Sequence, residues 1–387
     1  MVRGVGGCGR SIRRCRKREH LCKRSEADNG ASLVSARLPR RRFVLFATAA
    51  MGLAVVGTTG CLFAVDAYLH YRAERSGGVN MWGYRGPALG EKARAEFRIA
   101  VLGGSSVYGY GVLWNEAFPH VLEQELNARA PGGGATYRVA NLGYPNEAAY
   151  SFQFTMDDYE HLASDMFILY EGYNDLGDEP RYQVFRRDSP IFRATGYLPI
   201  FPMVFQEKAF ALRHGGDIAQ GYRERLKLTG PPTVFRPSMA AQVGAAALQT
   251  AATTAMTLEE QIGRLTQDPT VVEAATPTTG CVDRWRHYCG AQLAAITKAR
   301  RKGRAVLVVS QPYASDRHIE QQRALTGLLT ARFASDRGVA LANLGTVVSL
   351  DDPKLSFDHM HLTPEGNRLI AKALVEPVLA LARRTAP

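Results

Sequence analysis

Five short apolar runs alternate with amphipathic stretches along this chain, and that rhythm restricts the fold more than any other feature. The runs are FRIAVLG (97–103), YRVANLG (137–143), MFILYEG (166–172), AVLVVSQP (305–312) and VALANLG (339–345). Helical spacing fills much of the space between and after them, over 117–130, 147–162, 316–335 and 364–381. A strand buried on both faces reads as a near-continuous hydrophobic run, and strands separated by helices pair in parallel with helices on both sides. The pattern therefore predicts an α/β fold built on a parallel sheet. In such sheets ligands bind beyond the carboxyl ends of the strands.

The rhythm breaks between 179 and 302. Aromatic and proline-rich stretches such as GYLPIFPMVF (196–205) stand there, followed by an Ala/Thr-rich helical stretch over 238–265. This segment reads as an inserted cap between a first part of the domain, 97–178, and a second part, 303–387. GYLPIFPMVF is too short to cross a bilayer, which leaves core, a substrate lid or a membrane-contacting surface.

From Phe43 to Val65 the chain runs 23 residues without a charge, directly after Arg40, Arg41 and Arg42. At about 1.5 Å per residue such a helix spans roughly 35 Å, enough for a hydrocarbon core of about 30 Å. The arginines are expected to stay cytoplasmic, which would place the rest of the chain in the periplasm or outside the cell. A cleaved signal peptide is the alternative, although the apolar stretch is long for one. Thr58-Thr59-Gly60-Cys61 resembles a lipoprotein box only weakly. Residues 66–96, polar and glycine-bearing, read as a stalk.

The net charge of +12 would suggest nucleic-acid binding if it lay on the folded body. It does not, because the first 42 residues carry net +10, and they read as a disordered cytoplasmic tail. No nucleic-acid partner is expected. With 387 residues, 46% of them apolar, the remainder can bury a large core. Cys8, Cys15 and Cys22 in the tail have no zinc-site spacing and read as incidental. Cys281 and Cys289 would lie in an oxidising compartment, where a small-loop disulfide is expected.

Three strand ends and one helix start carry the chemistry. The first run ends in Leu102-Gly103-Gly104-Ser105-Ser106-Val107-Tyr108-Gly109, a turn that can present a hydroxyl and free N–H groups at a strand's carboxyl end. The second ends in Asn141-Leu142-Gly143 and the third in Tyr170-Glu171-Gly172-Tyr173-Asn174-Asp175. A glycine N–H and an asparagine amide there could face a developing oxyanion, although ordinary turn chemistry explains the same residues. Just before the last helical stretch stands Phe357-Asp358-His359-Met360-His361-Leu362-Thr363-Pro364. Asp358 and His361 are three apart, so the carboxylate can fix the imidazole's tautomer while its other nitrogen takes a serine proton. Thr363 suits the helix cap and Pro364 its first position.

The order Gly-x-Ser, Gly, Gly-x-Asn-Asp, Asp-x-x-His resembles the four blocks of the SGNH (GDSL-like) hydrolase superfamily. The resemblance implies a flavodoxin-like doubly wound parallel sheet in an α/β/α sandwich. It implies Ser105 as nucleophile, His361 as base and Asp358 as supporting acid, with an oxyanion hole of the Ser105 N–H, the Gly143 N–H and the Asn174 side chain. It covers roughly 97–178 and 305–382 and does not reach the cap. One departure is visible, since the family's common Gly-Asp-Ser reads Gly103-Gly104-Ser105, and Gly104 cannot supply the aspartate's hydrogen bonds. Ser106 and His359 stand as alternative nucleophile and base, but the spacings favour Ser105 and His361.

The activity implied is hydrolysis of ester bonds through an acyl-enzyme, as a carboxylesterase or deacylase, with neither metal nor organic cofactor. The expected substrate is an ester-bearing envelope glycan, lipid or small molecule, and the membrane is met through the N-terminal helix. Two other readings remain open: an O-acyltransferase of an envelope polysaccharide using the same triad, and a non-catalytic envelope protein that binds glycans or partners.

Overall fold

The computed structural model describes residues 40–76, 79–129, 136–182, 184, 186–187, 189–213, 238–265, 281 and 283–385. The basic tail with Cys8, Cys15 and Cys22 lies outside the described residues, as does part of the expected cap. Five strands are present: β1 Glu96–Gly103, β2 Thr136–Asn141, β3 Met166–Tyr170, β4 Ala305–Ser310 and β5 Val339–Asn343. The helices in chain order are α1 Arg40–Ser76, α2 Ser105–Tyr108, α3 Phe118–Arg129, α4 Phe152–Asp158, α5 Pro190–Thr195, α6 Phe201–Arg213, α7 Met239–Leu265, α8 Arg286–Arg301, α9 Asp316–Phe333 and α10 Pro364–Thr385. Two compact units divide the chain, residues 1–59 and 60–387.

In the second unit all strand pairs are parallel and the order is β2-β1-β3-β4-β5. This is the flavodoxin-like order, in which the crevice opens where the chain reverses direction across the sheet, beside β1. Side chains along β1 alternate between two cores, as the period of a strand requires. Ile99 and Val101 pack with Leu122 and Leu126 of α3 and Leu374 and Val378 of α10. Ala100 and Leu102 face the other way, into a core with Phe152 and Met156 of α4, Ile296 of α8 and Leu325 of α9. The result is an α/β/α sandwich. Each fully buried Ile or Leu in these layers contributes about 1.5–3 kcal/mol relative to exposure.

Local chemistry sets the ends of the elements. Thr363 Oγ1 accepts the Gly366 N–H at 3.2 Å, capping α10 with Pro364 at its first position. The expected helix over 147–162 is broken instead, with 3-10 turns at Ala149–Ser151 and Glu160–Leu162 flanking the short α4. Asn146 before it has φ +64°. The residues that would start a longer helix form the loop that carries Glu147 inward.

The stalk expected over 66–96 is corrected by the structure. Helix α1 continues to Ser76, and Val79, Asn80, Tyr84 and Arg85 are buried in the second unit. The Arg85 N–H donates to the Asn141 carbonyl at 3.0 Å, covering the edge of β2. The segment looked stalk-like because it is polar, yet several of its polar groups find partners inside: Asn80 Nδ2 donates to the Gly86 carbonyl at 3.0 Å. At the C-terminal part of α1, Asp66 Oδ1 accepts the Ile200 and Phe201 N–H groups at 2.8 and 2.6 Å, capping α6. Leu198 and Ile200 of GYLPIFPMVF are buried there, so this stretch contributes core.

Among the described residues α1 is the one helix long and apolar enough to cross a membrane, over Arg41–Arg72. Its residues 41–59 are exposed throughout.

Candidate active site

Parallel register brings the functional turns to one level. Val101 pairs with Asn141, and Gly103 with Tyr170, so the chain leaves β1, β2 and β3 side by side at their carboxyl ends. Ser105 follows β1 by two residues and opens α2. The turn behind it is held by Arg85, whose buried guanidinium donates to the Tyr108 carbonyl and, at 2.6 Å, to that of Gly109. Arg85 was hidden in the expected stalk, and no local signal marked it.

Ser105, His361 and Asp358 are brought together across the length of the domain. Ser105 Oγ lies 2.8 Å from His361 Nε2, and His361 Nδ1 lies 2.7 Å from Asp358 Oδ2. The other Asp358 oxygen accepts the Met360 and His361 N–H groups at 3.1 and 2.7 Å, which fixes the carboxylate against the ring's turn. Burial pushes the Asp358 carboxyl up, but the hydrogen bonds from the His361 ring and from the two backbone N–H groups outweigh it and hold the group below the usual carboxylate range. The loop is pinned by Phe357 N–H to the His361 carbonyl at 2.9 Å, and the Tyr110 ring sits 4.9 Å from the His361 ring. The two alternatives are placed differently. His359 has φ +63° and pairs with Asp351 at 3.1 Å, while Ser106 is buried.

Gly143 packs against the turn after Ser105 so closely that a Cβ there would lie 2.4 Å from the Tyr108 nitrogen. Only glycine fits. Its N–H donates to Asn141 Oδ1 at 3.1 Å, and Asn141 Nδ2 in turn donates to the Val107 carbonyl at 2.9 Å. Asn174 Nδ2 donates to the Glu147 carbonyl at 2.9 Å. Ser105, Gly143 and Asn174 are thus gathered at the same sheet end, with the single Gly143 N–H engaged by Asn141 and the Asn174 amide by Glu147 and Glu171.

Three acids behind these turns were not singled out by sequence. Glu147 forms a buried ion pair with Arg186 at 3.0 Å, and Arg186 also donates to the Leu142 carbonyl at 2.7 Å and the Gly83 carbonyl at 3.1 Å. Asp175 accepts the Ala149 N–H at 2.9 Å, and burial pushes its carboxyl up to about 6. Glu171 is pushed to about 8, first by burial and then by the charge of Asp175. An acid ending an apolar strand is a weak cue for such a group; only the packing around it shows that it is buried.

Cys281 and Cys289 are joined by a disulfide with Cα atoms 6.2 Å apart, tying the start of α8 to the residues before it.

Ser105, Gly143, Asn174 and the Asp358–His361 turn thus stand together at the carboxyl end of a parallel sheet of order β2-β1-β3-β4-β5. No protein-family model matches the sequence, and no curated protein matches it. Among solved structures, the chain is similar to a protein from Desulfitobacterium hafniense DCB-2 described as lipolytic and of the G-D-S-L family. That likeness has 11% identity and a TM-score of 0.34, over 73% of this chain and 99% of the other. It is too distant to carry an argument, so the reading of the site rests on its own geometry.

Proposed function

We propose that this chain is a membrane-anchored serine hydrolase that cleaves ester bonds, with its second unit on the far side of the membrane from the basic tail. The observation that carries the reading is the continuous pair of hydrogen bonds from Ser105 through His361 to Asp358. As an ester carbonyl approaches, Ser105 Oγ attacks the carbon and its proton passes to His361 Nε2. The imidazolium so formed is stabilised by Asp358 across Nδ1. The carbonyl oxygen becomes an oxyanion, and the Ser105 N–H, with the Gly143 N–H and the Asn174 amide once they turn from Asn141 and Glu147, are the donors this reading gives it, each worth roughly 3–4 kcal/mol of barrier. Collapse expels the alcohol, which takes the proton from His361, and leaves an acyl group on Ser105. Water then attacks with His361 as base, releasing the acid and restoring the hydroxyl. The proposed substrate is an ester in the cell envelope, on glycan, lipid or small molecule.

The test is turnover of p-nitrophenyl acetate and butyrate by the full chain in detergent, alongside Ser105→Ala and His361→Ala. The reading expects activity in the wild type and a loss of at least roughly 1000-fold in each variant. A folded wild type without turnover, or variants that match it, would overturn the reading.

A further inference from the structure

Gly104, where the family resemblance would place an aspartate, has no room for any side chain. A Cβ there would lie 2.2 Å from Asn174 Nδ2, 2.7 Å from Glu171 Oε2 and 3.0 Å from the Glu147 carbonyl oxygen. The space is already filled by a carboxyl group that arrives from a different strand. Glu171 directly follows β3 and is 1% exposed. Its Oε2 accepts the Gly104 N–H at 2.7 Å and Asn174 Nδ2 at 3.4 Å, while its Oε1 accepts the Gly172 and Asn174 N–H groups at 2.9 and 3.0 Å. One side chain therefore grips both the residue before the nucleophile and the backbone and side-chain amides of Asn174.

We propose that Glu171 is a positioning residue that holds the Ser105 turn and the Asn174 amide in one frame, supplying from β3 the support that Gly104 cannot supply from the nucleophile turn. The proposal rests on the serine-hydrolase reading above and extends it to a residue that never touches substrate. Two physical points favour it. Burying a carboxyl group whose hydrogen-bond partners are neutral amides is costly, and such costs concentrate at sites where geometry must be exact to a fraction of an ångström. The exchange is also mutually exclusive: a side chain at 104 and the Glu171 carboxyl cannot occupy the same volume.

The experiment uses the full chain in detergent, assayed with p-nitrophenyl acetate well below the melting midpoint. Glu171→Leu, close in size but without acceptors, is expected to lower kcat at least tenfold while KM stays within about threefold, because the Ser105 turn and Asn174 amide that it no longer holds in place act on the transition state. Glu171→Gln, which keeps one acceptor oxygen, is expected to recover most of that loss. Should Glu171→Leu fail to fold, Gly104→Ala carries the test, since its Cβ pushes on the same carboxyl and the same amide, and the same fall in kcat is expected. The proposal alone is overturned if folded Glu171→Leu or Gly104→Ala keeps kcat within twofold of wild type while Ser105→Ala is inactive. A wild type without turnover takes down both the proposal and the reading beneath it.

Discussion

In the proposed mechanism Asp358 would act through orientation as much as charge. Its two oxygens are divided, one on the His361 ring and one on the backbone of the same turn. Asp358→Asn keeps the size but offers the ring an amide, so kcat for p-nitrophenyl acetate should fall by at least roughly 100-fold with little change in KM. His359→Ala should stay within about twofold, since His359 turns away to Asp351; an equal loss at both positions would undo the assignment of the base. Glu171 makes a separate prediction about pH. Its folded pKa, about 8, lies above the ordinary glutamate value of 4.5. Between those values the folded protein binds a proton that the unfolded chain has released, so this group's contribution to stability declines as pH rises through the window. The melting midpoint of Glu171→Gln should therefore fall less than that of the wild type between pH 5 and 8. Parallel curves would remove Glu171 from the account.

At the scale of elements, the Arg186–Glu147 pair joins the stretch before α5 to the loop after β2. Both side chains are 1% exposed, and Arg186 also binds the Leu142 carbonyl beside Gly143. Removing one partner leaves a buried charge uncompensated, which costs about 3–5 kcal/mol. Arg186→Met should show a loss of that order in chemical unfolding, and a loss under about 1 kcal/mol would mean that the pair is dispensable. Sequence displayed the elements but not this connection. The strands and most helices were legible because each carries its own apolar period, as β1 and α10 do. The stretch 147–162 looked like one helix by the same rule and is not, since Glu147 is drawn to a partner 39 residues away.

Over the whole molecule, the disulfide and the apolar helix bear on where the protein works. The bond closes a loop of 8 residues, for which chain entropy gives roughly 2–3 kcal/mol. Cys281→Ser/Cys289→Ser should lower the melting midpoint under oxidising conditions and leave it unchanged against a reduced wild type; identical midpoints in both states would show that the bond contributes nothing. For the topology proposed here, protease added to spheroplasts of a bacterial host should digest the second unit while an epitope on the basic tail survives. Digestion of the tail with protection of the rest would invert the topology.

What the sequence determined by itself was local or periodic. Alternating apolar runs and amphipathic stretches specified a parallel sheet because burial period is written residue by residue. Gly-x-Ser and Asp-x-x-His could be read because the Ser105 turn and the Asp358–His361 pair each close within a few residues. The tertiary structure decided everything that depends on distant residues meeting. Ser105, not Ser106, faces a histidine 256 positions away, and that histidine is His361, not His359. Arg85 and Asn80 changed from stalk to interior because their polar groups find partners only once the sheet exists. Glu171 became a structural neighbour of Gly104, 67 residues earlier, because β1 and β3 pair in register and end at the same level. A period survives in one dimension, whereas a hydrogen bond between strands is fixed only when the sheet sets their register.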